Sequence, residues 1–106
     1  MIYVRPDYLA DNTDLCKRMV AAIVRSQAYI RSAAVDEIAA SIRPFFASLD
    51  DKVFISAVSN VREAVIPDGR MSPAGSEAYQ KVLLQTGHLK APVAFDAVFT
   101  NQYLPA

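Results

Sequence analysis

Apolar residues recur along this chain at helical spacing in four separate runs. The longest joins Leu15, Cys16, Met19, Val20, Ile23, Val24 and Ile30 on one face, while Lys17, Arg18, Arg25 and Arg31 stay off it. That pattern predicts an amphipathic helix over residues 12–32, with Asn12 as N-cap and Asp14 in the first turn. Val35, Ile38, Ala39, Ile42 and Phe45 give a second, shorter stripe. Pro44 cannot sit inside a helix, so this one is expected to end near Arg43. Asp50 is placed to cap a third helix over 51–65, whose stripe is Phe54, Ala57, Val58, Val61 and Val65. Leu49 and Phe54 then stand at the two positions of a hydrophobic staple. Ser72-Pro73 reads as an N-cap followed by proline at the first helical position, and Gly87 as the residue just past the end. Tyr79, Val82, Leu83 and Thr86 form the stripe between them, which predicts a fourth helix over 72–87.

The two ends read differently. Ile2-Tyr3-Val4 is short and β-prone, and Pro6 stops it, so a strand stub is expected there. From Lys90 the chain carries Pro92, Val93, Phe95, Val98, Phe99, Tyr103, Leu104 and Pro105. This predicts an extended apolar tail packed on the core, with one short helical turn from Phe95 to Phe99. Pro67-Asp68-Gly69 is a turn signature. No segment repeats at a fixed period, and none has the composition of a linker. The expectation is a mainly α fold in one domain over residues 1–106.

Composition narrows the function classes. The chain has 106 residues, of which 53% are hydrophobic and 21% charged, so it can bury a core and is not disordered. Lys plus Arg and Asp plus Glu are 11 each, giving a formal charge of zero. That argues against nucleic acid, where a basic excess supplies most of the affinity, and against a polybasic membrane patch. The longest apolar run, residues 19–24, is far shorter than the roughly 20 residues a membrane span needs. The first residues show no signal peptide, so a separate product of this length is expected in the cytoplasm.

Candidate chemistry is sparse. Cys16 is the one cysteine and His88 the one histidine, so neither a disulfide nor a multi-histidine metal site is expected within one chain. Cys16 lies on the apolar stripe, where an inert buried thiol is the common outcome. His88 follows a helix-ending glycine and reads as solvated. Asp50 and Asp51 are adjacent and do not face each other on a helix, and one is needed as a cap. Glu63, Asp68 and Asp36 have no metal-ligand spacing. Arg18, Arg25 and Arg31 read as a solvated outer face. A non-catalytic protein without cofactor or metal is expected.

The order of segments resembles one family. Asp7-Tyr8-Leu9-Ala10-Asp11-Asn12-Thr13-Asp14 leads into a helix ending Ser26-Gln27-Ala28-Tyr29-Ile30. Val35-Asp36-Glu37-Ile38-Ala39 and Phe45-Phe46 follow. Pro67-Asp68-Gly69-Arg70-Met71-Ser72-Pro73-Ala74-Gly75 comes next, and then Gly87-His88-Leu89-Lys90, Pro92-Val93, Phe99-Thr100-Asn101 and Tyr103-Leu104. This sequence is similar to the C-terminal third of substrate-binding proteins of ABC transporters for nitrate, sulfonates, taurine and thiamine-pyrimidine precursors. Thr13 stands where that family usually has proline. The likeness covers nearly the whole chain.

The resemblance implies a piece of a two-lobe periplasmic-binding-protein fold, whose sheet lies outside these 106 residues. It implies a solute-binding component of an importer, extracytoplasmic in its full-length form and meeting a membrane permease. The ligand would be a small anion or a heteroaromatic. Asp68 and Arg70 are the polar pair nominated as ligand-binding residues at the cleft edge, against the competing expectation of a turn held by its own side chains. The chain alone is expected to self-associate, as a dimer through Ile2–Val4 strands or by swapping its tail. The alternative is a stand-alone helical dimerisation module without ligand.

Overall fold

The computed structural model of the chain describes residues 2–105. It is mainly helical, and no strand occurs among the described residues. The elements are α1 (Pro6–Asp11), α2 (Thr13–Ser32), α3 (Val35–Ile42), a 3-10 turn (Arg43–Phe46), α4 (Asp51–Ala64), α5 (Pro73–Gln85) and α6 (Phe95–Val98).

The expected N-terminal strand stub does not form. Ile2, Tyr3 and Val4 are exposed and unstructured. A lone strand has no partner for its N–H and C=O groups. Pro6, read as a stop for the strand, instead starts α1, where its fixed φ suits the first helical position. The first predicted helix is therefore preceded by another. Asn12, expected as its N-cap, closes α1 instead: its backbone N–H and its side-chain Nδ2 both donate to the Tyr8 carbonyl, at 2.9 and 3.0 Å. It caps no N–H of α2.

The other predicted boundaries hold more closely. Helix α3 stops at Ile42, and Pro44 falls in the 3-10 turn rather than in the helix. Asp50 Oδ1 accepts from the N–H groups of Lys52 and Val53 at 3.0 and 3.2 Å. Ser72 Oγ accepts from Gly75 N–H at 3.0 Å. Gly87 has φ of 74°. Its N–H donates to Leu84 O, and the His88 N–H reaches back to Leu83 O. This paired closure of α5 needs a left-handed residue, which glycine adopts without strain.

The buried core is small: Ala33, Ile38, Ala39, Phe54 and Val58, with Ile30, Val35 and Ile42 half-buried against them. It lies where α3 meets α4 and the end of α2. Two arginines tie this corner together. Arg31, from the last turn of α2, donates to the carbonyls of Arg62 and Glu63 at the end of α4, at 3.0 and 3.3 Å. Arg62, from the last turn of α4, donates through Nε to the Ala33 carbonyl at the end of α2, at 3.0 Å. Each helix thus caps the C-terminus of the other with a cation, which satisfies orphan carbonyls and opposes the negative end of the dipole. Arg31, read from sequence as a solvated residue, is a structural link. Arg43 does similar work on the far side. It donates to Leu49 O at 3.0 Å and Asp51 Oδ1 at 2.6 Å, and its guanidinium lies 4.9 Å from the centre of the Phe54 ring.

Helix α5 and the tail form a second region, joined by side-chain amides. Gln80 accepts from Val93 N–H at 2.7 Å and donates to Val93 O at 2.9 Å. Asn101 accepts from Met71 N–H at 2.9 Å and donates to Met71 O at 2.8 Å. Ser76, Gln80, Leu83 and Leu84 are the residues of α5 that are not exposed, and three of them, Ser76, Gln80 and Leu84, line a groove with residues 92–95 of the tail. Tyr79 and Val82, two members of its predicted stripe, are exposed. The turn of helix expected near Phe95 is α6.

The molecule is open. Its radius of gyration is 16.7 Å, against about 13 Å for a compact domain of this length. Its accessible surface is 8013 Å², against about 5,800 Å² for a compact monomer of this mass. The predicted stripe of α2 accounts for part of the difference: no residue of α2 is buried, and Leu15 and Met19 are 45% and 58% exposed.

Candidate functional site

The nominated pair, Asp68 and Arg70, lies in the turn between α4 and α5. Asp68 Oδ1 accepts from the Arg70 backbone N–H at 3.0 Å. Gly69 N–H donates to Ile66 O at 3.2 Å, and Gly69 has φ of 67°. The turn is therefore held by its own aspartate, as aspartates in turns commonly do. Both side chains are exposed. What the structure brings close to this turn is one carboxamide and two apolar side chains: a Cβ on Gly69 would lie 2.9 Å from Gln27 Oε1, 3.1 Å from Val24 and 3.6 Å from Leu104.

His88 is exposed at the end of α5, and its Nδ1 lies 2.9 Å from Thr86 Oγ1. Cys16 is half-buried on α2 and lines a groove with Tyr8, Leu9, Tyr103 and Leu104. No group of three metal-ligating side chains gathers among the described residues. Asp50 and Asp51 separate as the sequence suggested, one capping α4 and the other paired with Arg43.

The larger concavities are apolar and open. One, of about 750 Å³, runs between α2 and α4 over the α3 corner. Ile38, Phe54 and Val58 form its floor, with Tyr29, Leu49 and Val61 on its walls. The phenyl rings of Phe46 and Phe54 meet there at 5.7 Å between centres. The other, of about 690 Å³, is the Cys16 groove, bounded by Ile2, Tyr3 and Val4, by Leu15 and Met19, and by the tail. Sequence reasoning placed Leu15, Met19, Ile38, Phe54, Val58 and Val61 on apolar helix faces, and Ile2, Tyr3 and Val4 in a strand stub. It missed the grooves because helical periodicity marks an apolar face without saying what covers it.

Four polar side chains line the first groove, Arg25, Ser26, Tyr29 and Ser41, and the last three are engaged within the protein. Tyr29 Oη donates to Glu37 Oε1 at 3.0 Å, and this bond raises the Tyr29 pKa above its ordinary value. Ser26 Oγ donates to Ala22 O and Ser41 Oγ to Ile38 O, within their own helices. Such a surface can bind apolar groups and offers no acid–base pair. No helix among the described residues is long and apolar enough to cross a membrane. Comparison of the chain with protein-family models, with curated proteins and with solved structures finds no match in any of the three.

Proposed function

We propose that this chain is a non-catalytic piece of a solute-binding protein, of the kind that delivers nitrate, sulfonates, taurine or thiamine precursors to an importer. In this reading the helices cover a sheet contributed by sequence outside these residues. Asp68 and Arg70 stand at the edge of a cleft completed by the other lobe. One observation carries the reading: α2, α3 and α4 present long apolar faces, yet only five apolar residues are buried among the described residues. Helices that flank a sheet have such faces. The test is to express the chain together with the coding sequence that precedes it in the genome, and to titrate the product with nitrate, taurine and an aminopyrimidine. Saturable binding, weakened tenfold or more by Asp68→Ala or Arg70→Ala, is the expected result. A preceding frame that encodes no two-lobed α/β protein overturns the reading.

The second reading is a self-standing helical module that closes its apolar faces by pairing. It is favoured by a specific observation, the surface excess of about 2,200 Å² over a compact monomer.

A further inference from the structure

We propose that the groove between α2 and α4 is a binding site for a free fatty acid, with Arg25 holding the carboxylate and the groove holding the alkyl chain. The inference rests on the second reading, that of a self-standing module, with one apolar face closed by a ligand. Three buried side chains, Ile38, Phe54 and Val58, form the floor. The floor is thus the core itself, and the groove exists before any ligand arrives. Its volume of about 750 Å³ falls within the range of small-molecule sites. The polar groups decide what the ligand carries. Ser26, Tyr29 and Ser41 have spent their hydroxyl protons on Ala22 O, Glu37 Oε1 and Ile38 O. A polar group on the body of a ligand would lose its water here and gain no hydroxyl proton in return. The body is therefore hydrocarbon.

Arg25 sets the head group. Among the described residues it is the one charged side chain that lines the groove, and it enters no ion pair. The other arginines of this corner are engaged: Arg31 on carbonyls of α4, Arg43 on Asp51 and Arg62 on Ala33 O. No acidic side chain of α3 or α4 lines the groove to neutralise Arg25. A guanidinium takes a carboxylate through two parallel N–H donors, a match that a neutral or cationic head group lacks. The crossed arginine caps close the groove where α2 and α4 finish. Arg25 stands eight positions before Ala33, about 12 Å along the helix. An alkyl chain held at Arg25 therefore runs past Tyr29 and Ile30, with its methyl end toward the tied corner.

The experiment titrates the 106-residue chain with decanoate, below its micelle concentration, in a calorimeter. The expected result is saturable binding of one decanoate per chain, weakened about fourfold for each methylene removed from the acid. Decanol and decyltrimethylammonium, which keep the chain and lose the carboxylate, should bind about tenfold more weakly than decanoate. Arg25→Gln should lose the same factor for decanoate, and Arg18→Gln, in the other groove, should lose none. Ala57→Trp fills the groove from an exposed position on α4, so it should abolish binding and keep the unfolding transition. A chain with no cooperative unfolding overturns both this proposal and the self-standing reading. A cooperatively folded chain that binds no decanoate, or binds it equally well as Arg25→Gln or Ala57→Trp, overturns the site alone. Equal affinity for decyltrimethylammonium, or sedimentation with phosphatidylglycerol vesicles in place of decanoate binding, overturns it as well.

Discussion

Arg62 holds the α2 terminus through one hydrogen bond from a charged donor, with its side chain 30% exposed. Bonds to charged groups contribute about 1.5–3 kcal/mol when buried, and partial exposure reduces this. Arg62→Ala should therefore cost about 1 kcal/mol in chemical unfolding, and Arg62→Lys should recover only part of it, since a lysine cannot reproduce the directed Nε bond. Charge on single residues also leaves a signature in titration. The Tyr29 phenol is held above its ordinary pKa first by its hydrogen bond to Glu37, then by desolvation and by the charge of that carboxylate. A raised folded value means the stabilisation is present below the unfolded pKa near 10 and is lost as pH rises through the folded one. Ultraviolet titration should show Tyr29 ionising above the ordinary value for a tyrosine, and Glu37→Gln should lower that midpoint. At Asp7 the sign is reversed. The Arg5 guanidinium holds that carboxyl below its ordinary value, so its contribution is present above the unfolded pKa and fades as pH falls through the lowered one.

Elements end where single residues make them end, and most of these ends were legible. Asp50, Ser72 and Gly87 are read from residue type and position alone, because a cap is a local interaction between a side chain or a φ angle and its own helix. Asp50→Ala should cost about 1 kcal/mol in thermal or urea unfolding. Gly87→Ala should cost about 1–2 kcal/mol, because an alanine at φ of 74° is strained. Asn12 was misread because its donor group found a carbonyl behind it before its oxygen found an N–H ahead. The Ile2–Val4 stub was misread because β propensity describes a residue that has a neighbouring strand. The Gln80 and Asn101 clamps and the crossed arginine caps were not legible at all. They join residues 13 to 32 positions apart, and no local spacing encodes such a meeting. Of the candidate site, the local half was legible: Asp68 folds back on Arg70 as turn chemistry suggests. The grooves were not, because they depend on where faces are left uncovered.

At the scale of the whole molecule, stability and association are one question. Phe54 is 4% exposed and sits at the centre of a core of five apolar residues, so Phe54→Ala should cost about 3–5 kcal/mol. That is a large share of the stability of a domain this small, and a calorimetric scan should show the cooperative transition lost. If the copies pair as proposed, the midpoint of the wild-type transition should rise with protein concentration, as mass action requires. The tail belongs to this scale too, because its attachment depends on two carboxamides, each used at both ends. Hydrolysis of the Asn101 amide, a slow reaction of stored protein, would keep the shape of the side chain but replace its NH₂ donor with an anionic oxygen facing the Met71 carbonyl. The clamp would then repel where it had held. Chemical ageing at this one position should yield a more acidic form of the protein whose last residues are open to proteases.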